Sequence, residues 1–287
     1  MIFLSFDIGD NFINYAICRK MKRKNPGLKL LESSSRTRGN SILLQVQAII
    51  NGILAEYQID GVAILYNDCE LKAGEHNHSE PTLSTIEREI LEKIVPEKFG
   101  FPCHVMNRRH AFAWWEFTQI TDKEVKEILY LEIEESINCT IIANGQVLHG
   151  HKGLAGAIGN LSVRGEGFCQ QATSIGLLKF FEMIFKYQIT EEEFFERLPH
   201  SDKFQSVLDA YIDHLTEGLC LLIKLLNPAL IVLGGRLMSH YNMSSKVETV
   251  LTSKLSPIYW CEVKRAQMSE NLVHLGAVLY LENKEAL

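Results

Sequence analysis

Long apolar runs are missing from this sequence. No stretch reaches the roughly 20 apolar residues of a membrane-spanning helix, and the N-terminus lacks the basic segment and long apolar core of a signal peptide. We therefore expect a cytoplasmic protein that does not contact a membrane. An excess of positive charge is also missing, since the formal net charge is −6 at pH 7. Nothing in the charge favours DNA as a partner.

Closely spaced cysteine pairs are missing too. Seven cysteines are scattered along 287 residues without a CxxC pair, which indicates reduced thiols and argues against structural zinc. His76 and His78 lie beside Glu75 and Glu80. A His-x-His pair without a third spaced ligand favours a solvated loop over a metal site, so we predict no metal.

The apolar pattern that is present predicts an α/β protein. Buried or alternating runs predict strands at 1–8, 12–19, 29–32, 61–66, 101–105, 128–132, 138–143, 229–233 and 262–264. Helical periods predict helices at 41–57, 83–99, 174–187, 190–197, 204–226, 244–253 and 271–282. Both halves begin with a β-hairpin and continue with alternating elements, which predicts two α/β domains.

Three short segments predict chain reversals. Gly9, Asp10 and Asn11 all tolerate positive φ, which is typical of a tight turn between two strands. Asn144-Gly145 is a strong hairpin signal. Asn227-Pro228 should end the long helix, because proline disfavours a helical residue before it.

Six segments in order resemble the ROK family of sugar kinases (repressor, open reading frame, kinase). They are 7–11, 107–116, the hairpin around 144–145, 154–160, 227–235 and 275–277. The resemblance covers nearly the full length. It implies two ribonuclease-H-like domains of the actin-like ATPase type with a ligand cleft between them. We expect an N-terminal domain at 1–110, a larger C-terminal domain at 111–270, and a helix at about 271–287 that packs back on the first domain.

The resemblance places an arginine where the family has its catalytic base. The family segment reads Asn-Asp-Ala-Asn, and its Asp accepts the proton of the attacking sugar hydroxyl. Here that position is Arg108, which stays protonated and only donates hydrogen bonds. No aspartate lies between Asp68 and Asp122, so a shifted alignment does not supply one.

The resemblance also implies nucleotide-binding positions, several of them degraded. They are Asp7, Gly9, Asp10, Glu134, Ser136, Gly234 and Gly235. Family glycines fall on Glu134 and Ser136, where glycine would let backbone N–H groups approach a phosphate. Carboxylates there would repel a triphosphate by roughly 1–4 kcal/mol per charge pair at about 4 Å. Asp10, which replaces another family glycine, adds to this repulsion.

Several sugar-binding residues of the family are replaced in this sequence as well. The sugar-binding Glu and His of the family fall on Ala157 and Asn160, a later Glu falls on Gln170, and only Cys169 remains of the zinc motif. The candidates that remain for sugar binding are Asn107, Arg108, Asn160 and Gln170. If Arg108 or its neighbour Arg109 faces the pocket, the ligand should carry an anionic group. Alternatively, one of the two arginines pairs with Glu134 or Glu135.

Three functions are compatible with these residues. The first is a pseudokinase that binds a sugar or an anionic sugar derivative as a regulatory protein, without zinc. The second is an active hexose or amino-sugar kinase of the glucokinase or fructokinase type, using ATP and Mg²⁺ with a relocated base. The third is a transcriptional regulator. Such family members carry a helix-turn-helix domain before the Asp-x-Gly turn, which begins here at residue 7, so we expect no direct DNA binding. The resemblance also implies a homodimer.

Overall fold

The computed structural model describes residues 1–21, 27–68, 81–267 and 269–285. The predicted basic turn at 22–24 and the His-x-His loop at 76–78 lie outside these residues. The described chain divides into two compact units, one comprising 1–119 and 269–285 and the other 120–267. The bounds predicted for the domains stay a prediction, because compactness does not demonstrate independent folding.

The first unit is built on a five-stranded mixed sheet. Its strands are β1 (Ile2–Ile8), β2 (Phe12–Lys20), β3 (Leu28–Thr37), β4 (Gly61–Tyr66) and β5 (Cys103–Asn107), in the order β3-β2-β1-β4-β5. Its helices are α1 (Ile42–Leu54), α2 (Thr85–Phe99), α3 (Arg108–Thr118) and α10 (Asn271–Glu285). The central strand β1 pairs antiparallel with β2 and parallel with β4.

Alternate side chains of β1 serve opposite faces of this sheet. Leu4 and Phe6 pack in a core that includes residues of α1 and α2, whereas Phe3 packs with residues of α10. Helix α10 lies closely against α3, because a Cβ added to Gly276 would stand 2.0 Å from the carbonyl oxygen of Ala111. A glycine at this position therefore allows the two backbones to touch.

The second unit repeats the same arrangement of strands. Its main sheet contains β6 (Ile128–Ile133), β7 (Ile137–Ala143), β8 (Gln146–Val147), β11 (Leu230–Gly234) and β12 (Glu262–Arg265), in the order β12-β11-β6-β7-β8. Strands β9 (Ser162–Val163) and β10 (Glu166–Gly167) form a separate small hairpin. The helices are α4 (Phe168–Gln171), α5 (Ser174–Phe185), α6 (Glu191–Arg197), α7 (Asp202–Leu226), α8 (Arg236–His240) and α9 (Ser244–Lys254).

Both main sheets have a central strand with two antiparallel neighbours in succession on one side and two parallel ones on the other. The predicted α/β class with a duplicated architecture is confirmed. The hairpin signal is confirmed by Asn144 at φ 52° and Gly145 at φ 70°. Asn227, at φ 44°, caps the end of α7 as predicted. No helix in the described part of the chain is long and apolar enough to cross a bilayer.

Candidate functional site

In the first unit, the candidate site lies where the parallel strands end. Ile8 pairs with Tyr66, and Tyr66 pairs with Asn107, so the carboxyl ends of β1, β4 and β5 share one edge. Ligands of open α/β sheets bind at this edge. Asn107 also caps α3, because its Oδ1 accepts a hydrogen bond from the backbone N–H of Arg109 at 2.9 Å. Arg108 is therefore the first residue of a helix that begins at the sheet edge.

Arg108 holds two carboxylates of its own unit. Its Nε donates to Asp7 Oδ2 at 3.1 Å, and its Nη2 donates to Glu270 just before α10. The guanidinium carbon also lies 5.0 Å from the ring centroid of Phe112. The position predicted for the family base thus holds a cation that is bonded to the carboxylate of Asp7 near the end of β1.

Burial dominates the electrostatics around this arginine. Burial raises the pKa of the Asp7 carboxyl above its ordinary value, and the nearby Arg108 guanidinium offsets part of that rise. Burial, together with repulsion from Arg108, lowers the pKa of His274 to about 4. His274 Nδ1 lies 3.0 Å from Ser5 Oγ. The imidazole is therefore neutral near pH 7.

The side-chain nitrogen of Asn107, Nδ2, differs from the side-chain oxygen in its hydrogen bonding. The residue is only 3% exposed, and within the described part of the chain no acceptor lies within hydrogen-bond distance of its Nδ2. A buried donor without a partner costs about 1–3 kcal/mol. Because Nδ2 is itself buried, a ligand oxygen can bond to this amide only after neighbouring side chains move.

The predicted turn between β1 and β2 lies at Gly9, Asp10 and Asn11, since the two strands pair antiparallel on either side of it. None of these three described residues adopts the positive φ that each of them tolerates. Instead, Gly9 N donates to Phe12 O at 2.9 Å and Arg38 Nη1 donates to Gly9 O at 2.9 Å. Arg38 therefore adds a side-chain hydrogen bond to the backbone bond within this turn, and local turn chemistry gave no sign of it.

In the second unit, considered by itself, predicted site residues lie on the turn between β6 and β7. Glu134 N donates to Ser136 O at 2.9 Å, so this N–H is used inside the turn. The carbonyl oxygen of Glu134 accepts from Ser174 N at 3.1 Å. The side chains of Glu134 and Glu135 are exposed, whereas Ser136 is buried. The turn therefore presents carboxylates where the family has glycines.

The glycine pair at the end of β11 lies against strand β6. Gly235 has φ 90°, and a Cβ added there would stand 2.4 Å from the carbonyl oxygen of Ile133. A Cβ on Gly234 would meet the hydroxyl of Tyr130 at 2.6 Å. Both glycines are thus required by close packing inside the second unit, independently of any nucleotide.

The remaining sugar-binding candidates lie on neighbouring segments of the second unit. Asn160 is exposed at the end of a 3₁₀ turn (Ile158–Asn160), and this turn packs against α4, which carries the exposed Gln170. Gln170 lines a cavity of about 380 Å³ that opens between α4, α5 and α7. Other residues of its wall are Glu166, Gln171, Lys179, Phe180 and His214.

Among the described residues, no group of three or more His, Cys, Asp or Glu side chains could hold a metal ion. Cys169 is buried, with its Sγ 3.9 Å from the carbonyl oxygen of Glu135.

Nothing in the sequence indicated that Glu270 and His274 lie beside Arg108. The helical period at 271–282 and the resemblance at 275–277 drew attention to helix α10, but neither indicated a role for these two residues.

Comparisons with known proteins agree with this architecture. An uncharacterized protein of Clostridium perfringens (strain 13 / Type A) is 27% identical over 249 residues, covering 83% of this chain and 82% of the relative. An N-acetylmannosamine kinase of Vibrio cholerae is 26% identical over 144 residues, which are 47% of this chain and 50% of the relative.

A solved structure shows the same fold. A ROK family protein from Streptococcus pneumoniae TIGR4, in complex with sucrose, matches with a TM-score of 0.77 at 16% identity, covering 100% of this chain and 99% of that one. The two units are thus ribonuclease-H-like, as in ROK sugar kinases. The sequence model of the ROK family matches residues 4–284. Because this match takes in almost the whole chain, the protein belongs to the ROK family.

Proposed function

We propose that this ROK protein binds a sugar or sugar derivative without transferring a phosphoryl group to it. The observation that carries the proposal is the bond between Arg108 and Asp7. A sugar kinase needs a group that accepts the proton of the attacking hydroxyl. Arg108 cannot accept a proton, and its guanidinium is directed at Asp7 by the 3.1 Å bond from Nε.

The same pair argues against a magnesium ion beside Asp7. Mg²⁺ in phosphoryl-transfer sites is held by carboxylates and by phosphates of the substrate. Here Oδ2 of Asp7 already bonds to a cation, and Asp7 is the more buried partner, with its side chain 10% exposed against 22% for Arg108. The residues around Asp7 do not fit a bound divalent cation.

The turn at 134–136 argues in the same direction. A phosphate cradle depends on backbone N–H groups that point at the anion. The N–H of Glu134 is bonded to Ser136 O, and two carboxylate side chains, of Glu134 and Glu135, stand exposed on the turn. This turn does not fit a triphosphate. ATP and Mg²⁺ are therefore no part of the proposed function.

Sugar binding is supported by the amides that remain. Asn107 keeps one buried donor without an acceptor in the described part of the chain, and Asn160 and Gln170 present exposed amides in the second unit. Relatives named N-acetylmannosamine kinase and the S. pneumoniae family member in complex with sucrose indicate which ligands to try first.

Calorimetry with a coupled ATP assay tests the proposal. We expect N-acetylmannosamine, glucose or another member of a sugar panel to bind, and we expect no ATP turnover with any of them. Asn107→Ala should weaken the binding about tenfold or more, since it removes a buried hydrogen bond. The alternative is an active kinase with a relocated base. Turnover that disappears in Asp7→Asn would establish that alternative and refute ours.

We also propose a homodimer as the assembled form, on the basis of the family resemblance. Light scattering after size-exclusion chromatography should then give twice the chain mass of 32.6 kDa. A mass of one chain at micromolar concentration would contradict the dimer without affecting the proposal on sugar binding.

A further inference from the structure

The two carboxylates bonded to Arg108 differ sharply in their surroundings. The side chain of Asp7 is 10% exposed, whereas that of Glu270 is 84% exposed. Asp7 lies on the central strand of its sheet, and Glu270 lies in the turn before α10. The Asp7 bond is therefore part of the interior of the unit, and the Glu270 bond is made at its surface.

These surroundings predict different strengths for the two bonds. An exposed ion pair gains little, because water and salt screen the charges and two long side chains must be ordered. A pair with one buried partner is harder to break, since breaking it leaves an uncompensated charge away from water. The Glu270 side can therefore be exchanged while the Asp7 side stays in place.

The guanidinium is held ready for such an exchange. Nε is fixed by Asp7, and the face of the group lies over the ring of Phe112 at 5.0 Å. Nη2, which now contacts Glu270, is on a planar fork whose geometry suits carboxylates and phosphates. An outside anion would find this part of Arg108 oriented before it arrives.

We propose that Glu270 is a tethered stand-in for the acid group of the ligand. A ligand carboxylate or phosphate displaces Glu270 from Arg108 and takes over its bonds, while Asp7 remains bonded to Nε. An acidic sugar then binds more tightly than the neutral sugar with the same ring, because only the acid group can displace Glu270 from Arg108. This inference rests on the proposed function, because it concerns the same site.

The test compares one ring with and without an acid group. Binding of glucose, glucuronate and glucose 6-phosphate is measured by calorimetry for the wild type, Glu270→Gln and Glu89→Gln. The last variant is the matched control, since Glu89 is exposed on α2 and the change in net charge is the same. Glu270→Gln should tighten glucuronate or glucose 6-phosphate binding up to about fivefold, in keeping with the loss of an exposed competing pair. Glucose binding should not change.

Two further measurements extend the test, and the first of them needs no sugar. Inorganic phosphate is titrated while the Nε–H signal of Arg108 is followed by nuclear magnetic resonance, and phosphate should shift that signal at lower concentration in Glu270→Gln than in the wild type. Arg108→Lys should lose the preference for the acidic ring, because an ammonium is a point charge without a fork. Which of the two acidic sugars gains more distinguishes a carboxylate from a phosphate ligand.

The outcomes separate this inference from the proposal on sugar binding. Equal affinities of the wild type and Glu270→Gln for phosphate and both acidic sugars would overturn the role of Glu270, as would an equal gain in Glu89→Gln. Loss of acid binding in Glu270→Gln would overturn it too. If no sugar binds but phosphate binds more tightly to Glu270→Gln, the proposed sugar binding fails and the exchange at Arg108 stands.

Discussion

Replacing Arg108 by methionine should expose how much the first unit depends on the Asp7 pair. Methionine keeps an unbranched stem over Phe112 and removes the charge. Breaking a buried ion pair by removing one partner costs about 3–5 kcal/mol. Because the Arg108 side chain is 22% exposed, we expect the lower end of this range, about 3 kcal/mol. That is a large part of the roughly 5–15 kcal/mol that stabilises a typical protein.

The loss should depend on pH in a defined direction. Without Arg108, burial alone acts on Asp7, so the pKa of its carboxyl in the folded protein rises further. Between the unfolded pKa of about 3.9 and this raised pKa, the folded state binds more protons than the unfolded state. Stability therefore falls as pH rises through this window. Arg108→Met should be mildly destabilised near pH 4 and fully destabilised at pH 7.5.

Urea unfolding followed by tryptophan fluorescence measures this effect. Trp114 and Trp115 lie in α3, and the third tryptophan, Trp260, is already 61% exposed in the folded second unit, so the signal reports mainly on the first unit. The double variant Asp7→Asn/Arg108→Met should regain most of the lost stability, since no unpaired charge remains.

A control in the second unit decides whether burial is the cause, and all variants are also followed by far-ultraviolet circular dichroism, which reports on both units. Arg164→Met removes an arginine that is 44% exposed and also bonds two carboxylates, Asp213 and Glu217. That change should cost less than about 1 kcal/mol. The reasoning is refuted if Arg108→Met loses no more stability than Arg164→Met, or if the double variant with Asp7→Asn is as unstable as Arg108→Met alone.

Four further changes test other parts of the first unit. Gly276→Ala would place a Cβ 2.0 Å from the carbonyl oxygen of Ala111, and it should cost about 1–3 kcal/mol or more in urea unfolding. Gly52→Ala, whose new Cβ meets nothing within 4 Å, should be neutral or stabilising. His274 has a lowered pKa of about 4, so wild-type stability should fall from pH 6.5 toward 4 as the unfolded state takes up the proton; His274→Gln should flatten this slope in unfolding curves collected at both pH values. Asn107→Asp should keep the cap of α3 through its carboxylate, yet weaken sugar binding in calorimetry because the Nδ2 donor is gone.

Local sequence patterns predicted most strands and helices but did not predict the hydrogen bonds of Arg108. Most strands and helices follow from periodicity, since each buries one face of its own residues. The bonds of Arg108 reach 101 positions back to Asp7 and 162 positions on to Glu270. No local pattern encodes such distances. Family spacing indicated that Asp7 and Arg108 belong to one site, but Glu270 is an exposed polar residue in a turn and carries no signal of its own.

The short elements of the second unit were missed for a related reason. Helices α4 and α8 span Phe168–Gln171 and Arg236–His240, which is too short to establish a helical period. Packing fixes them instead. A Cβ on Gly218 of α7 would stand 2.3 Å from the ring of Phe168, so the glycine makes room for the aromatic side chain that holds α4. The sequence shows a glycine at position 218 but does not indicate that it packs against the ring of Phe168.

The contact between α10 and α3 has a consequence for synthesis of the chain. His274 lies against Ser5, 269 residues earlier, and Gly276 lies against Ala111. A chain made from its N-terminus can form contacts only among residues that have already left the ribosome. The described part of the second unit ends at residue 267 and can be complete while the first unit still lacks its last helix. Glu270 and the residues of α10 therefore arrive last, and a nascent chain shortened by twenty residues would carry Arg108 without them.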